Sequence, residues 1–194
     1  MTLENKLGIT DSTKLAREEE HISKKKAVKL FESGILDTLP AGEFSTLQKI
    51  HEYLFSDIYE FAGKIRSVNI AKGNFRFAPL MYLEASLTNI DNMPQSTFDE
   101  IIEKYVEMNV AHPFREGNGR SSRIWLDHIL KTEINQVIDW SKVDKEDYLL
   151  AMERNATRAY NNASLPQNIK DGLQNEGMLI TNAMLTLSEG KTVT

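Results

Sequence analysis

The sequence His112-Pro-Phe-Arg-Glu-Gly-Asn-Gly-Arg-Ser-Ser-Arg123 joins two helical patterns through a compact loop. Proline disfavours the α conformation in the residue before it, so the first helix is expected to end at His112. Gly117, Asn118 and Gly119 can adopt positive φ angles, which would turn successive backbone N–H groups into one concavity. The next helix follows immediately, so its unpaired N–H groups and positive dipole end face the same space.

Charged side chains in the same stretch indicate a site for a polyphosphate. Arg120 and Arg123 are three residues apart and share one face of the second helix's first turn. Phosphates would repel Glu116 unless a divalent cation lay between them, and Mg2+ is the usual bridge. The spacing matches neither a Walker P-loop nor a dinucleotide-binding turn. A plain helix–helix turn is the alternative, but it leaves this concentration of chemical groups unexplained.

Most of the remaining chain has helical spacing of apolar residues. Helices are predicted over residues 23–33, 43–61, 97–110, 120–131, 145–158 and 169–188, and another begins at Pro79. The four residues Thr97-Phe-Asp-Glu100 match a capping box, which marks the start of a helix. Alternation around Lys72-Gly73 predicts a short β-hairpin between Ile65 and Ala78. The fold class is therefore mainly α with one hairpin.

Composition limits the classes of protein that remain. The net charge of −5 favours binding neither to nucleic acid nor to an anionic membrane, and the absence of cysteine is typical of a reducing compartment. The N-terminus lacks the apolar run of a signal peptide, so a cytoplasmic protein is expected. His21, His51 and His128 show no paired metal-ligand spacing, and we interpret them as structural or exposed.

The sequence between His112 and Arg123 resembles the signature of the Fic family, H-x-F-x-[D/E]-G-N-G-R-x-x-R, at every fixed position. The similarity extends from about Ser23 to Asn155. It implies a Fic-type helical bundle with a β-hairpin flap over the active site, in residues 1–160 with an N-terminal helical extension. It also implies transfer of AMP from ATP to a Ser, Thr or Tyr hydroxyl of a target protein, and of the enzyme itself.

The same resemblance implies a role for each residue of the signature. His112 is expected to be the general base, since the unperturbed pKa of histidine lies near working pH. Phe114 is expected to point inward, and Glu116 to bind Mg2+. Gly117, Asn118 and Gly119 are expected to hold the α-phosphate, Arg120 the β-phosphate and Arg123 the γ-phosphate.

The hairpin and the segment after the signature are expected to complete the site. In the family the hairpin pairs with an extended segment of the target, and the flap residues here are Ile70, Asn74, Phe75, Arg76 and Phe77. Packing on the core is the alternative for the two phenylalanines. Lys72 and Gly73 are expected near the nucleotide. Tyr148 and Asn155 are candidates for the adenine pocket, although Tyr148 equally fits the core.

Residues 161–194 are interpreted as a C-terminal helical tail. Many relatives carry an inhibitory helix with the pattern [S/T]-x-x-x-E-[G/N], and one branch has it at the C-terminus. Here Glu189-Gly190 match that pattern, but Leu185 stands where Ser or Thr is expected. The hypothesis is that Glu189 pairs with Arg123 and restrains the enzyme, and that it can support removal of AMP. A solvated tail and the weaker match Glu176-Gly177 are the alternatives.

Two other functions remain open. One is transfer of another phosphate-containing group, against which Gly119 argues because kinase-like relatives carry lysine there. The other is a non-catalytic nucleotide-binding regulator, against which His112 argues because binding alone needs no base. Self-association into a homo-oligomer is compatible with the resemblance, and the target protein is not named by the sequence.

Overall fold

The computed structural model describes residues 2–72 and 75–144, with the side chains of residues 72 and 75 excepted. Within these residues the protein is mainly helical, as predicted. Five α-helices follow one another: α1 (Ser12–Glu32), α2 (Phe44–Phe55), α3 (Leu80–Asp91), α4 (Phe98–Ala111) and α5 (Asn118–Ile134). A 3-10 turn, Leu36–Thr38, lies between α1 and α2. No helix in the described part of the chain is long and apolar enough to cross a membrane.

The first helix begins earlier than the sequence pattern indicated. Asp11 caps α1 by accepting a hydrogen bond from the backbone N–H of Lys14, which is the usual role of an N-cap carboxylate. Ser23, the predicted start, lies in the middle of α1, where its hydroxyl donates to the carbonyl of Glu20. The pattern was misread because the first turns of α1 are polar and only Leu15 is a buried apolar residue there.

The second helix is shorter than predicted. It ends at Phe55 rather than Phe61, and Ser56 is its C-cap. Beyond it the backbone turns, with Ile58 and Tyr59 both donating to the carbonyl of Phe55. Ile58 is fully buried although it lies beyond the end of α2. Its helical spacing from the apolar residues of α2 therefore reflects packing into the core and not a longer helix.

The helices around the signature agree more closely with the predictions. The capping box of α4 is confirmed, with Thr97 and Glu100 each accepting from the other's backbone. Helix α5 begins at Asn118, two residues before the predicted start, directly after Gly117 in the left-handed conformation. Pro79 is the N-cap of α3 rather than its first residue.

Helices α2, α4 and α5 form the centre of the bundle, with α1 packed on α2 and α3 packed on α4. Trp125 of α5 is completely buried, and its indole N–H donates to the carbonyl of Glu43 at 3.0 Å, just before α2. Between α2 and α3, Ala71–Lys72 (β1) and Phe75–Arg76 (β2) pair antiparallel. This packing places the loop between α4 and α5 beside the end of α2 and the short strands.

Several predictions lie outside the described residues. They are the helices over 145–158 and 169–188, the adenine-pocket candidates Tyr148 and Asn155, and the inhibitory Glu189 with its weaker alternative Glu176. Gly73 and Asn74 of the hairpin also lie outside them, and so do the side chains of Lys72 and Phe75.

Candidate functional site

His112 closes α4 in an unusual backbone conformation. Its φ and ψ angles of 48° and 62° are left-handed, and its N–H donates to the carbonyl of Met108 at 3.0 Å. Residues other than glycine rarely adopt this conformation, and it persists only where the surrounding contacts offset its energetic cost. The half-buried imidazole stacks on the ring of Phe77, with 3.6 Å between the centroids and 19° between the planes. Phe77 therefore packs on the predicted base.

A buried arginine holds the backbone around His112. Arg66 is 3% exposed, and its guanidinium donates to the carbonyls of Val68, Ala78, Ala111 and His112. Its backbone N–H donates to the carbonyl of Pro113 at 2.8 Å. A charged donor at the C-terminal end of α4 also faces the negative end of the helix dipole. Arg66 thus joins the end of α4 to the backbone on either side of the two strands.

The inside of the loop is anchored by aromatic rings. Phe114 is completely buried, as expected, and stacks on His51 with 3.9 Å between centroids. The Nδ1 atom of His51 accepts from the N–H of Gly63 at 2.9 Å, so its Nε2–H donates to the carbonyl of Glu116 at 2.8 Å. Burial lowers the pKa of His51 to about 4, so the ring is neutral. His51 is therefore structural, as predicted, but it supports the signature loop directly.

Only one residue of Gly117-Asn118-Gly119 has a positive φ angle, so the expectation for the other two was wrong. Gly117 has φ = 79°, and a Cβ atom there would lie 2.5 Å from the ring of Phe55. Asn118 and Gly119 are helical because α5 has already begun. The side-chain amide of Asn118 accepts a hydrogen bond from the backbone N–H of Phe114 at 2.8 Å and donates one to the carbonyl of Phe114 at 2.7 Å. The loop is thus closed by Asn118 itself.

The beginning of α5 supplies backbone donors at the site. The first bond of the helix runs from the N–H of Ser121 to the carbonyl of Gly117 at 3.2 Å. The N–H groups of residues 118–120 precede it and, by helix geometry, have no carbonyl within the helix to bind. Together with the helix dipole they form a place for an anion.

Charged side chains surround this helix end. The Glu116 side chain is 46% exposed, and its Oε1 atom accepts from the N–H of Gly117 at 2.9 Å. The same oxygen lies 3.6 Å from a terminal nitrogen of Arg120. Arg120 also forms an ion pair with Glu19 of α1 and lies over the ring of Phe55. Arg120 therefore connects the signature to a distant helix.

Arg123 has a different environment from Arg120. Its guanidinium carbon lies 5.5 Å from the ring centroid of Trp140, close enough for a cation–π contact. The indole N–H of Trp140 donates to Asp127 at 3.1 Å, and the N–H of Ile138 donates to the same carboxylate. Burial raises the pKa of Asp127 to about 7.

Arg120 and Arg123 line one groove of about 470 Å³ between α1 and α5, although their neighbours differ.

The described part of the hairpin lies beside His112. The N–H of Phe77 donates to the carbonyl of Ile70 at 3.3 Å, and the N–H of Ala78 donates to that of Val110 at 3.0 Å. Ile70 is half-buried and Arg76 is exposed. The role of these residues as a target-docking flap stays a prediction.

Four residues of the site were missed by the sequence reasoning: Glu19, Arg66, Asp127 and Trp140. Each acts through residues of other segments, such as the contact between Glu19 and Arg120, which are 101 positions apart. Glu19 lies among other charged residues and Arg66 belongs to no recognisable motif, so no local pattern distinguishes them. The sequence contained one weak signal, because Trp140 is one of only two tryptophans.

The sequence profile of the Fic/DOC family matches residues 43–130. Protein adenylyltransferase VbhT of Bartonella schoenbuchensis is 34% identical over 156 residues, which are 74% of this chain and 31% of that protein. "Probable protein adenylyltransferase y4lH" of Sinorhizobium fredii is 30% identical over 166 residues, which are 78% of this chain and 82% of that protein. The chain thus spans about a third of the first relative and most of the second.

Solved structures show the same fold. The BepC protein of Bartonella tribocorum, crystallised with bound AMPPNP, has a TM-score of 0.64 and 22% identity, covering 86% of this chain and 94% of that one.

The relatives confirm the predicted family and, at the level of that family, an AMP-transferring enzyme. The chain belongs to the Fic/DOC family.

Proposed function

We propose that this protein transfers AMP from ATP to a Ser, Thr or Tyr hydroxyl of a target protein, and to itself. One observation carries the proposal. His112 is held in a left-handed conformation at the end of α4, and the phosphate-binding features of the signature begin five residues later at Gly117. A base and an anion site in one rigid loop are what nucleotidyl transfer requires.

His112 is the general base of the proposed reaction. Its imidazole removes the proton of the target hydroxyl as the oxygen attacks the α-phosphorus of ATP. A new P–O bond forms to the target, and the bond to the oxygen that bridges the α- and β-phosphates breaks. Pyrophosphate leaves, and the proton remains on His112. Stacking on Phe77 and the bond from Arg66 to the His112 carbonyl support an oriented ring.

The phosphates of ATP bind at the start of α5. Backbone N–H groups of residues 118–120 hold the α-phosphate and stabilise the charge that develops on it. Because the Asn118 side chain is engaged with Phe114, the contribution of Asn118 comes from its N–H. Arg120 contacts the β-phosphate and Arg123 the γ-phosphate, since both line the groove beside this helix end. BepC, a similar structure, has AMPPNP bound, which supports ATP as the nucleotide.

Glu116 is the residue that fits a magnesium ion. Among the described residues no group of three or more His, Cys, Asp or Glu side chains could hold a metal by itself. A single exposed carboxylate beside phosphates suits Mg2+, which usually takes one or two carboxylates, substrate phosphates and water. When bound, Mg2+ neutralises charge on the phosphates. Glu116 keeps its carboxylate at the site through the N–H of Gly117.

The hairpin is proposed to align the target. An extended segment of the target pairs with the strand edge at β1 and β2, next to Ile70 and Arg76. Phe77 packs on His112. This contact favours an internal packing role for Phe77 over contact with the target. Lys72 and Gly73 lie near the nucleotide in this proposal, and Tyr148 and Asn155 contact adenine.

Autoinhibition by Glu189 is part of the proposal. The glutamate pairs with Arg123, which keeps the γ-phosphate from its productive position, and it positions water for removal of AMP from modified targets. A comparison of self-modification by the wild type and Glu189→Gly tests the idea, with a faster variant expected. Equal rates in the two proteins would show that Glu189 does not restrain the enzyme.

Labelled ATP tests the proposed reaction itself. The purified protein is incubated with a lysate and with ATP labelled on either the α- or the γ-phosphate. Label from the α-phosphate should appear on protein, and label from the γ-phosphate should leave as pyrophosphate. Transfer of γ label would indicate phosphorylation instead, and transfer of neither would favour a regulator that only binds nucleotide.

A further inference from the structure

We propose that Glu19 is a positioning residue for Arg120: it fixes the guanidinium so that the remaining N–H groups meet the β-phosphate of the nucleotide. The inference rests on the proposed function, in which Arg120 contacts that phosphate. Glu19 belongs to α1 and lies outside the residues 43–130 that the family profile matches.

The side-chain hydrogen bonds of Arg120 go to one helix, and its contact with Glu116, at 3.6 Å, is longer than a hydrogen bond. One terminal nitrogen pairs with Oε1 of Glu19, and the other donates to the hydroxyl of Ser23 at 3.2 Å. Both acceptors lie on α1, four residues apart and therefore on one face of the helix. The face of the guanidinium lies 4.8 Å from the ring centroid of Phe55. Two acceptors and a ring define both the position and the plane of the guanidinium.

Glu19 is itself held rigidly. Its residue is 6% exposed, and its second carboxylate oxygen, Oε2, accepts from the hydroxyl of Tyr59, which is 2% exposed. Burial and the neighbouring carboxylate raise the pKa of Tyr59, so the hydroxyl remains a donor across the physiological range. Each oxygen of Glu19 therefore has one partner, and neither depends on solvent.

These contacts leave donors for a phosphate. A guanidinium has five N–H groups, and Glu19 and Ser23 account for one on each terminal nitrogen. Three remain, so Glu19 orients Arg120 without exhausting it. A long side chain that is already ordered loses less entropy when its ligand binds. Removal of Glu19 should therefore weaken the contact with the β-phosphate, even though it removes a negative charge.

Binding of ADP and of AMP to the purified full chain measures the effect, because only ADP has a β-phosphate. Isothermal titration calorimetry with Mg2+ gives both affinities. We expect Glu19→Ala to bind ADP about tenfold more weakly than the wild type, which corresponds to one charge-assisted hydrogen bond. Its affinity for AMP should stay within about twofold, well below the effect of one such bond.

Two further variants keep the test independent of charge and folding. Tyr59→Phe removes only the hydroxyl that orients Glu19, so it should weaken ADP binding in the same direction by about threefold, as expected for one neutral hydrogen bond. Glu19→Gln keeps an acceptor for Arg120 and should retain more ADP affinity than Glu19→Ala. Glu32→Ala is the matched control, because Glu32 is an exposed glutamate at the end of α1 that does not line the groove.

The possible results distinguish a failure of the role given to Glu19 from a failure of the proposed AMP transfer. Tighter ADP binding by Glu19→Ala would mean that Glu19 competes with the phosphate, and an equal loss for ADP and AMP would mean a purely structural role. Either result overturns the inference and leaves the proposed function intact. A wild type that binds ADP no better than AMP would contradict the phosphate role of Arg120, and the inference would fall with it.

Discussion

The Nε atom of Arg66 donates a hydrogen bond to the backbone carbonyl of His112 at 2.8 Å. This bond holds the backbone of the residue that we propose as the base. The guanidinium also reaches the carbonyl of Ala78 at 2.5 Å, on the far side of the strands. The strands and the end of α4 therefore share one buried cation. A change at Arg66 should affect catalysis although its side chain is 46 residues away from His112 in sequence.

Arg66→Lys should lower kcat for AMP transfer by about 10- to 100-fold, because small displacements of a catalytic group have effects of this size. An ammonium has three donors and no planar fork, so it cannot reproduce the contacts with four carbonyls. The measurement is steady-state self-modification with α-labelled ATP. Lys64→Ala, at an exposed residue nearby, is the control. An unchanged kcat in Arg66→Lys would show that the loop holds its shape without the guanidinium.

Phe77→Ala removes the ring that stacks on His112. The imidazole would then reorient more freely, so kcat should fall by about tenfold while the affinity for ATP changes little. Rates at varied ATP concentration separate the two effects. Met81→Ala is the control, since that side chain is 79% exposed. A loss confined to ATP affinity would assign Phe77 to the nucleotide pocket rather than to the base.

Gly117→Ala and Gly119→Ala form a matched pair for fold stability. At Gly117 the φ angle is 79° and a methyl group would overlap the ring of Phe55, so the free energy of unfolding should fall by about 2 kcal/mol or more. At Gly119 a methyl group meets nothing within 4 Å, and alanine favours the helix. Urea denaturation followed by circular dichroism measures both. Equal losses would contradict a left-handed Gly117 packed against the ring of Phe55.

His51 predicts a dependence of stability on acid. Burial lowers its pKa from 6.5 to about 4, so the folded state resists protonation that the unfolded state accepts. The stabilisation from the neutral ring is therefore complete above pH 6.5 and is lost as the pH falls towards 4. Between these values one group lowers the free energy of unfolding by at most about 1.4 kcal/mol per pH unit.

Urea denaturation at pH 7 and pH 5 tests this dependence. His51→Gln should lose less stability between the two pH values than the wild type does, because it has no imidazole to protonate. His21→Gln, which changes an exposed histidine, should behave like the wild type. Parallel loss in the wild type and His51→Gln would assign the acid sensitivity to other groups.

The sequence predicted the local features of the site and missed those that depend on tertiary contacts. The end of α4 at His112 and the capping box at Thr97 follow from short-range chemistry, and the family resemblance implied the inward position of Phe114; the structure has all three. Glu19 and Arg66 had no such signal. Their importance comes from helices and strands that meet only in the folded chain.

The errors in the predictions have the same origin. Gly119 suggested a positive φ angle, but helix α5 begins before it, because Asn118 closes the loop on Phe114. The apolar residue Ile58 suggested a longer α2, but it packs into the core from a turn. Apolar spacing reports burial, and burial does not require the helix to continue.

The role of His112 as the base for AMP transfer is tested by measuring AMP transfer and ATP binding in His112→Asn. Asparagine tolerates the left-handed backbone seen at this residue and cannot serve as the base. In this variant, transfer of α label should fall by about 100-fold or more while the affinity for ATP stays within about threefold. Transfer at the wild-type rate by His112→Asn would contradict the role of His112 as the base.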